Sequence, residues 1–127
     1  MDMDLYEAAW LAFCEQENLD PDDYNDGDNN GPLYGEGIEY GMIYGHTTYA
    51  VLTEDDADRA WEAALDSYLE ECVYPELSGS LVHYFNDDAW KRDARYDGRG
   101  HSLGHYDGTE HEIQLPDGTW MYIYRTN

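Results

Sequence analysis

The chain has 127 residues, and its 29 acidic side chains against 6 basic ones give a formal net charge of −23. This balance argues against direct binding to nucleic acid or to an anionic membrane, because phosphate contacts need lysine and arginine. No apolar run approaches the about 20 residues of a membrane span, and the acidic start lacks the basic region of a signal peptide. We therefore expect one domain, residues 1–127, in the cytoplasm.

The negative charge is distributed unevenly along the chain. Residues 1–52 hold twelve acids and no base, residues 53–76 hold nine acids and one base, and residues 77–127 hold eight acids and five bases. Such an excess repels itself and destabilises a compact state. The many aromatic residues nevertheless argue against an acidic disordered chain. The composition therefore favours a folded domain with a cationic partner.

The first predicted element is a helix over residues 4–17, with Asp4 and Glu7 as a capping box. Its apolar side chains recur at helical spacing: Tyr6, Ala9, Trp10, Phe13 and Cys14. Residues 18–36 follow and are rich in Asp, Asn, Gly and Pro, which favour turns. They predict a long loop, and long loops within compact domains tend to be functional or disordered.

Part of this loop matches the first half of a calcium-binding loop. Asp26, Asp28, Asn30 and Gly31 stand where the first ligands and the turn glycine belong. The twelfth position should be a bidentate Glu, but Gly37 stands there. We interpret the match as a chance product of an acidic, turn-rich loop, and we expect no metal or other cofactor.

Residues 37–52 predict one or two strands, folded as a hairpin that bends at Gly45-His46. Residues 54–74 predict the strongest helix of the chain, with Thr53 as its N-cap and Asp56 three residues further on. Its apolar stripe comprises Ala57, Ala60, Trp61, Ala64, Leu65, Tyr68, Leu69 and Cys72.

The two cysteines, Cys14 and Cys72, each fall inside a predicted helix. Neither stands in a CxxC pair or beside a histidine. We interpret them as two reduced, buried thiols, because cysteine is among the most buried residue types in cytoplasmic proteins. One disulfide, or a nucleophilic thiol, is the alternative.

The C-terminal part begins with a short strand or turn over residues 81–85. Asn86 then caps a third helix, which ends by Gly98. Three strands are predicted beyond it, over residues 101–106, 110–115 and 119–126, joined by turns at Asp107-Gly108 and Pro116-Asp117-Gly118. The predicted fold is α+β, with two or three helices packed on a small antiparallel sheet and a C-terminal β-meander.

A row of carboxylates on the second helix is the main candidate site. Its members are Glu54, Asp58, Glu62, Asp66 and Glu70, and five acids of the preceding loop support them: Asp20, Asp22, Asp23, Asp26 and Asp28. Like charges four residues apart on a helix repel by about 0.2–0.5 kcal/mol per pair. A helix rises about 1.5 Å per residue, so the row carries a charge about every 6 Å, against one phosphate per about 3.4 Å of a DNA strand.

Two interpretations of the row are open. It is either an ordinary solvated helix face, or a surface that imitates the charge of a nucleic acid for a cationic partner. If a partner uses the row, replacing Asp58, Asp66 and Glu70 by Gln should relieve repulsion and maintain or raise the melting temperature.

Two further clusters have less specific patterns. Lys91, Arg92 and Arg95 alternate with aspartates on the third helix, which favours internal salt bridges over contacts with nucleic acid. His101, His105 and His111 lie among acids within residues 97–112. These histidines allow a metal-dependent hydrolase as an alternative, but their spacing matches no metal-ligand pattern.

The segment YFNDDAWKRD, residues 84–93, and the ending YIYR resemble the C-terminal part of ArdA-type antirestriction proteins, small acidic proteins of plasmids and phages. The matching positions are Tyr84, Phe85, Asp88, Ala89, Trp90, Arg92, Asp93, Tyr122, Tyr124 and Arg125. The resemblance implies a non-enzymatic DNA mimic in the cytoplasm of a bacterial host. Its partner would be a basic nucleic-acid-binding protein, such as a restriction–modification enzyme or a CRISPR effector.

A different kind of acidic protein, an interaction or assembly factor for a basic partner, is the main alternative. Such a factor would tolerate scattered charge reversals, since the exact positions of its charges matter less than in a mimic of nucleic acid. Whether the chain forms a homodimer is left open.

Overall fold

The computed structural model describes residues 4–26, 31–77, 79 and 85–127. Within them the helices and strands follow one another as α1 (Leu5–Glu17), β1 (Tyr24–Asp26), β2 (Ile38–Met42), β3 (Thr48–Thr53), α2 (Glu54–Tyr68), α3 (Asp87–Ala94), α4 (Gly98–Leu103), β4 (His111–Gln114) and β5 (Trp120–Arg125). This arrangement of helices and an antiparallel sheet confirms the predicted α+β class.

The five strands form one sheet in the order β1-β2-β3-β5-β4, and every neighbouring pair is antiparallel. β3 and β5 lie at its centre, where Val51 is opposite Ile123. Side chains of β3 alternate between two hydrophobic clusters: Val51 packs with α1 on one face, and Leu52 packs with α2 on the other. The central strands are therefore buried on both faces, which explains their continuous apolar sequence.

Helix α1 covers the first face of the sheet. Asp4 is its N-cap and accepts a hydrogen bond from the Tyr6 N–H at 2.8 Å. The capping box predicted for Asp4 with Glu7 is wrong, because the Asp4 side chain binds the Tyr6 N–H and not that of Glu7. Trp10 lies at the centre of the packing and stacks on Tyr40 with ring centroids 4.6 Å apart. The predicted apolar stripe is confirmed: Ala9, Trp10, Phe13 and Cys14 are buried, and Tyr6 is half-buried.

The prediction of a long loop over residues 18–36 is wrong in part, because the segment contains a turn of 3₁₀ helix (Pro21–Asp23) and strand β1. Asp20 starts the turn by accepting a hydrogen bond from the Asp22 N–H. Tyr24 then packs edge-on against Trp10, and β1 pairs with β2. Tertiary packing outweighs the local turn preferences here. Asp28 and Asn30 lie outside the described residues.

Strands β2 and β3 form the predicted hairpin, which turns through residues 43–47. Helix α2 begins at the predicted capping box, in which Thr53 and Asp56 each bind the other's backbone N–H at 3.1 Å. The α-helix ends at Tyr68, earlier than predicted, and continues as a π-helical turn and a turn of 3₁₀ helix.

The last two strands of the predicted C-terminal meander are confirmed as the hairpin of β4 and β5, but the first, predicted over residues 101–106, is wrong. Helix α4 occupies its first half. Gly100 and Gly104 allow this helix to lie directly on the next loop: a Cβ on Gly100 would be 2.8 Å from the Gly108 carbonyl oxygen, and a Cβ on Gly104 would be 2.9 Å from that of Thr109. Residues 81–84, at the start of the other predicted strand or turn, lie outside the described part of the chain.

Only one of the two cysteines is buried. Cys14 lies in the core, whereas Cys72 is exposed, so the prediction of two buried thiols is wrong for Cys72. Burial, followed by the charge of Asp20, raises the pKa of the Cys14 thiol to about 11. No described helix is long and apolar enough to cross a lipid bilayer.

This difference gives a prediction for thiol chemistry. At pH 8 the native protein should react with an aromatic disulfide reagent at one thiol, that of Cys72, because thiolate formation and access both limit the reaction. The Cys14 thiol should react only after denaturant is added. The Cys72→Ser variant should lose the fast phase, and two fast thiols in the native protein would contradict the burial of Cys14.

Candidate partner-binding surface

The carboxylate row of α2 faces the segment formed by α3 and α4. Its partners there recur at the same spacing as the row itself: Lys91, Arg95 and Arg99 are four residues apart. Arg99 lies beside the start of the row and Lys91 lies beside Asp66. The two rows of opposite charge therefore run antiparallel along the contact between the helices.

Arg99 is the most heavily bonded cation of this contact. Its Nη1 lies 3.1 Å from Glu54 Oε1 and 2.8 Å from Asp58 Oδ1, and its Nη2 lies 2.6 Å from Glu110 Oε1. The guanidinium stacks 4.5 Å above the ring of Tyr122. With its side chain only 11% exposed, Arg99 holds three carboxylates together at the edge of the core.

Two further cations complete the contact. The Lys91 Nζ lies 2.6 Å from Glu62 Oε1 and also binds the Asp66 carboxylate. Arg95 binds Glu62 and lies over the ring of Trp61. The Lys91 pKa is raised well above its ordinary value by the hydrogen bonds to Asp66 and Glu62, so the ammonium stays charged.

Four of the five row carboxylates therefore already have a cation from the same chain. Glu70 is exposed, and it has no ion-pair partner among the described residues. The interpretation of the basic segment as internal salt bridging is confirmed for Lys91 and Arg95. Neutralising Asp58 and Asp66 would thus remove ion pairs rather than relieve repulsion. The expected gain in melting temperature loses its physical basis.

A second polar network links α1 to α2 through Asp56, which is 6% exposed. Its carboxylate accepts hydrogen bonds from the Tyr6 hydroxyl at 2.5 Å and from the Arg59 Nη2 at 2.8 Å. Arg59 also binds Glu36. Burial raises the pKa of Asp56, but the hydrogen bonds from Tyr6 and Thr53 outweigh it and hold the pKa below its ordinary value. The sequence indicated the cap at Asp56 but not this link.

This network predicts loss of stability at alkaline pH. Burial, and then the Asp56 carboxylate, raise the Tyr6 pKa from 10.0 to about 12. Because the folded pKa is the higher one, the contribution of Tyr6 to the free energy of unfolding is complete below pH 10 and is lost as the pH rises toward 12. Urea unfolding from pH 8 to 12 should show this decline.

The Tyr6→Phe variant should be less stable at pH 8 and decline less between pH 10 and 12. Tyr44→Phe, which changes a residue that is 95% exposed, should decline like the unmodified protein. An identical slope for Tyr6→Phe and the unmodified protein would contradict the link.

The acids that precede β2 have a different environment from the row. Asp4 to Asp26 includes eight exposed carboxylates, here called the N-terminal acidic region: Asp4, Glu7, Glu15, Glu17, Asp20, Asp22, Asp23 and Asp26. None of them forms an ion pair within the described residues. The strongest uncompensated charge therefore lies here rather than on α2. Asp20, Asp22, Asp23 and Asp26 belong to the predicted site, whereas Asp28 lies outside the described residues.

Part of the N-terminal acidic region lines a groove of about 410 Å³, which lies between α1, the Pro21–Asp23 turn, β1 and β2. Asp4, Glu7, Asp22 and Asp26 line it. Three aromatic rings, those of Trp10, Tyr24 and Tyr40, lie beneath them and are almost fully buried. The groove was not predicted, because it depends on the pairing of β1 with β2.

An exposed apolar tip lies beside the N-terminal acidic region. The β2–β3 turn exposes Met42, Ile43 and Tyr44. The Ile43 N–H donates to the Asp23 carbonyl oxygen at 2.8 Å, which fixes the tip next to the acids of the Pro21–Asp23 turn. Charged and apolar groups are thus combined on one surface, as at protein–protein interfaces.

The histidines of residues 97–112 are distributed over different elements. His101 lies on α4, and His111 lies on β4 with its ring edge-on to Phe13. Within the described ranges, no three His, Cys, Asp or Glu side chains are grouped so that they could hold a metal ion. A second groove, of about 630 Å³, is lined by residues of α2, α3 and α4, His101 among them, and by Cys72.

Comparison of the chain with protein-family models, with curated proteins and with solved structures yields no match.

Proposed function

We propose that the protein is a non-catalytic inhibitor that occupies the cationic nucleic-acid groove of a bacterial defence protein, a restriction–modification enzyme or a CRISPR effector. The observation that carries the proposal is the N-terminal acidic region, whose eight exposed carboxylates have no cationic partner among the described residues. The cations of the chain with ion pairs bind elsewhere, to Glu36, Asp56, the α2 row and Glu110. Unpaired surface carboxylates are the groups that can replace phosphates at a basic surface.

The division of charge favours the N-terminal acidic region over the α2 row as the main contact. Carboxylates that already share a guanidinium or ammonium gain less from a second cation, because their charge is partly neutralised. The row still adds to the negative field, because four of its carboxylates and Glu110 share only three cations at the α2 contact. The row therefore contributes to steering a cationic partner, and Glu70 is its one member without an ion pair in the described chain.

The apolar tip indicates that the acidic surface binds a protein, because small counterions alone would need no exposed apolar side chains beside the carboxylates. Binding energy at protein interfaces concentrates in a few buried aromatic or apolar anchors, which charged contacts surround. Met42, Ile43 and Tyr44 can supply such an anchor, and the acids beside them can supply the rim. The same tip would serve an assembly factor for a basic protein. The two functions differ in whether the partner's nucleic-acid groove is blocked.

A competition experiment distinguishes these functions. The tagged protein captures its target from bacterial lysate, and mass spectrometry identifies the target. The purified target is then titrated with labelled DNA in the presence of the protein. The proposed function predicts that the protein and DNA exclude each other, whereas an assembly factor would leave DNA binding intact.

The proposal also predicts a strong dependence on salt. Affinity for the captured target should fall at least about tenfold between about 50 and 200 mM salt, because paired charges release counterions on binding and salt weakens them. Calorimetric titrations at several salt concentrations measure this slope. An affinity that does not change with salt would contradict the role of the carboxylates and point to the apolar tip alone.

A further inference from the structure

The groove of the N-terminal acidic region has features that a mere cluster of surface acids lacks. Carboxylates from three elements meet at it: Glu7 from α1, Asp22 from the 3₁₀ turn and Asp26 from β1. Leu11 and Ile38 contribute apolar side chains to the lining of the same groove. Its volume of about 410 Å³ lies within the range of about 300–1,000 Å³ that is typical of pockets for small ligands.

Two tyrosines give independent evidence for a ligand. Tyr24 and Tyr40 both line the groove and are each 8% exposed. Neither hydroxyl has a hydrogen-bond partner among the described residues. Neither oxygen is among the fully buried, unpaired side-chain atoms of the described chain, so both hydroxyls open onto the groove, where an entering ligand can bind them. The groove therefore holds unused hydrogen-bond acceptors beside unpaired carboxylates.

The charges of three carboxylates that line the groove act on the Tyr40 hydroxyl. Burial raises the pKa of Tyr40 to about 12, and the charges of Asp26, Glu7 and Asp4 add to the shift in that order. A group that enters beside this hydroxyl therefore meets three negative charges. An anion would be repelled, and a neutral group would leave the charges uncompensated.

We propose that the groove binds a cationic side chain, the guanidinium of an arginine or the ammonium of a lysine, that projects from the partner protein. The proposal rests on the proposed function and specifies its contact. The aliphatic stem of the side chain packs along Leu11 and Ile38. Its charged head binds Glu7 and Asp26 and donates hydrogen bonds to the Tyr40 hydroxyl. Hydrogen bonds between charged groups are stronger than neutral ones, which makes this contact a specific anchor.

The first test uses small probes, so that it does not depend on the identity of the target. N-acetyl-arginine amide and N-acetyl-lysine amide are titrated into the protein at low salt, and NMR signals of the Trp10, Tyr24 and Tyr40 rings are followed. N-acetyl-citrulline amide is the control, because it has the shape of arginine without the charge. Both cationic probes should shift these signals, and citrulline should bind at least about tenfold more weakly.

A matched pair of variants separates the groove from general electrostatics. Glu7→Gln with Asp26→Asn removes two charges inside the groove. Glu71→Gln with Glu76→Gln removes two exposed charges that lie outside the N-terminal acidic region. The groove variant should bind the arginine probe about tenfold more weakly, and the control less than about twofold, since charge-assisted contacts are short-ranged in water. Tyr40→Phe should weaken binding about 2–10-fold.

Equal weakening by the two double variants, or equal binding of arginine and citrulline probes, would overturn the inference. Competition with DNA for the captured target then distinguishes a failure of the groove contact from a failure of the proposed function. If the protein excludes DNA and the groove variant does so equally well, the groove contact is wrong and the function stands. If the protein fails to exclude DNA while its groove binds the arginine probe, the function is wrong and the groove stands as a cation site.

Discussion

Replacing Arg99 by methionine is expected to cost more stability than any other single change at the α2 contact. The substitution keeps the apolar stem but leaves Glu54, Asp58 and Glu110 close together without their shared cation. Removing one member of a buried ion pair costs about 3–5 kcal/mol. The lower end, about 3 kcal/mol, applies here, because the side chains of Glu54 and Asp58 are more than half exposed. Urea denaturation measures the free energy of unfolding directly.

The control for this prediction is Arg92→Met, which changes an exposed residue of the same helical segment without an ion pair among the described residues. Its effect should stay within about 0.5 kcal/mol, as for ordinary surface substitutions. A loss of less than about 1 kcal/mol in Arg99→Met would show that solvent screens the contact. In that case α3 and α4 would depend on the stacking of Tyr68 on Trp90 and on other apolar packing.

Local signals in the sequence predicted the elements whose ends are fixed by neighbouring residues. Thr53 and Asp56 are three residues apart and close the capping box of α2. Asp117 likewise closes the β4–β5 turn by accepting a hydrogen bond from the Thr119 N–H at 2.9 Å. Such contacts span only two or three residues, so their residue types alone predict them. The strand-favouring residue types of β3 and β5 were equally visible in the sequence.

Contacts between distant residues account for what the sequence did not predict. Strand β1 exists because Tyr24 packs on Trp10, and α4 exists because Gly100 lies against the loop at Gly108. Local composition at either place favours turns or strands instead. Neither packing partner can be identified from periodicity within one segment.

The pairing of the α2 row also joins distant residues, but a signal for it was present. Arg99 and Glu54 are 45 residues apart, and Lys91 and Glu62 are 29 apart. The cations repeat every fourth residue, and so do the acids. Two rows of opposite charge and equal spacing indicate two helices in contact. The composition of the basic segment suggested internal salt bridges, whereas the matched spacing identifies the row itself as their partner.

The proposed function predicts that stability and target binding separate between two sets of three substitutions. The N-terminal set, Asp22→Asn, Asp23→Asn and Asp26→Asn, removes three exposed charges without ion pairs in the described chain. Its melting temperature should hold or rise, because mutual repulsion falls. Affinity for the captured target should fall about 100-fold or more, since close interfacial charge pairs couple by about 1.5–7 kcal/mol. Melting curves and competition with DNA give the two values.

The control set removes an equal number of charges, three, from the α2 row: Glu54→Gln, Asp58→Asn and Asp66→Asn. It leaves Arg99 and Lys91 with fewer partners, so the free energy of unfolding should fall by about 1–3 kcal/mol. Its affinity for the target should change less than about tenfold, because these carboxylates already bind cations of their own chain. The opposite result, with binding lost in the α2 set and kept in the N-terminal set, would show that the target uses the row. The target would then have to displace Lys91, Arg95 and Arg99, and its binding would be accompanied by release of α3 and α4 from α2.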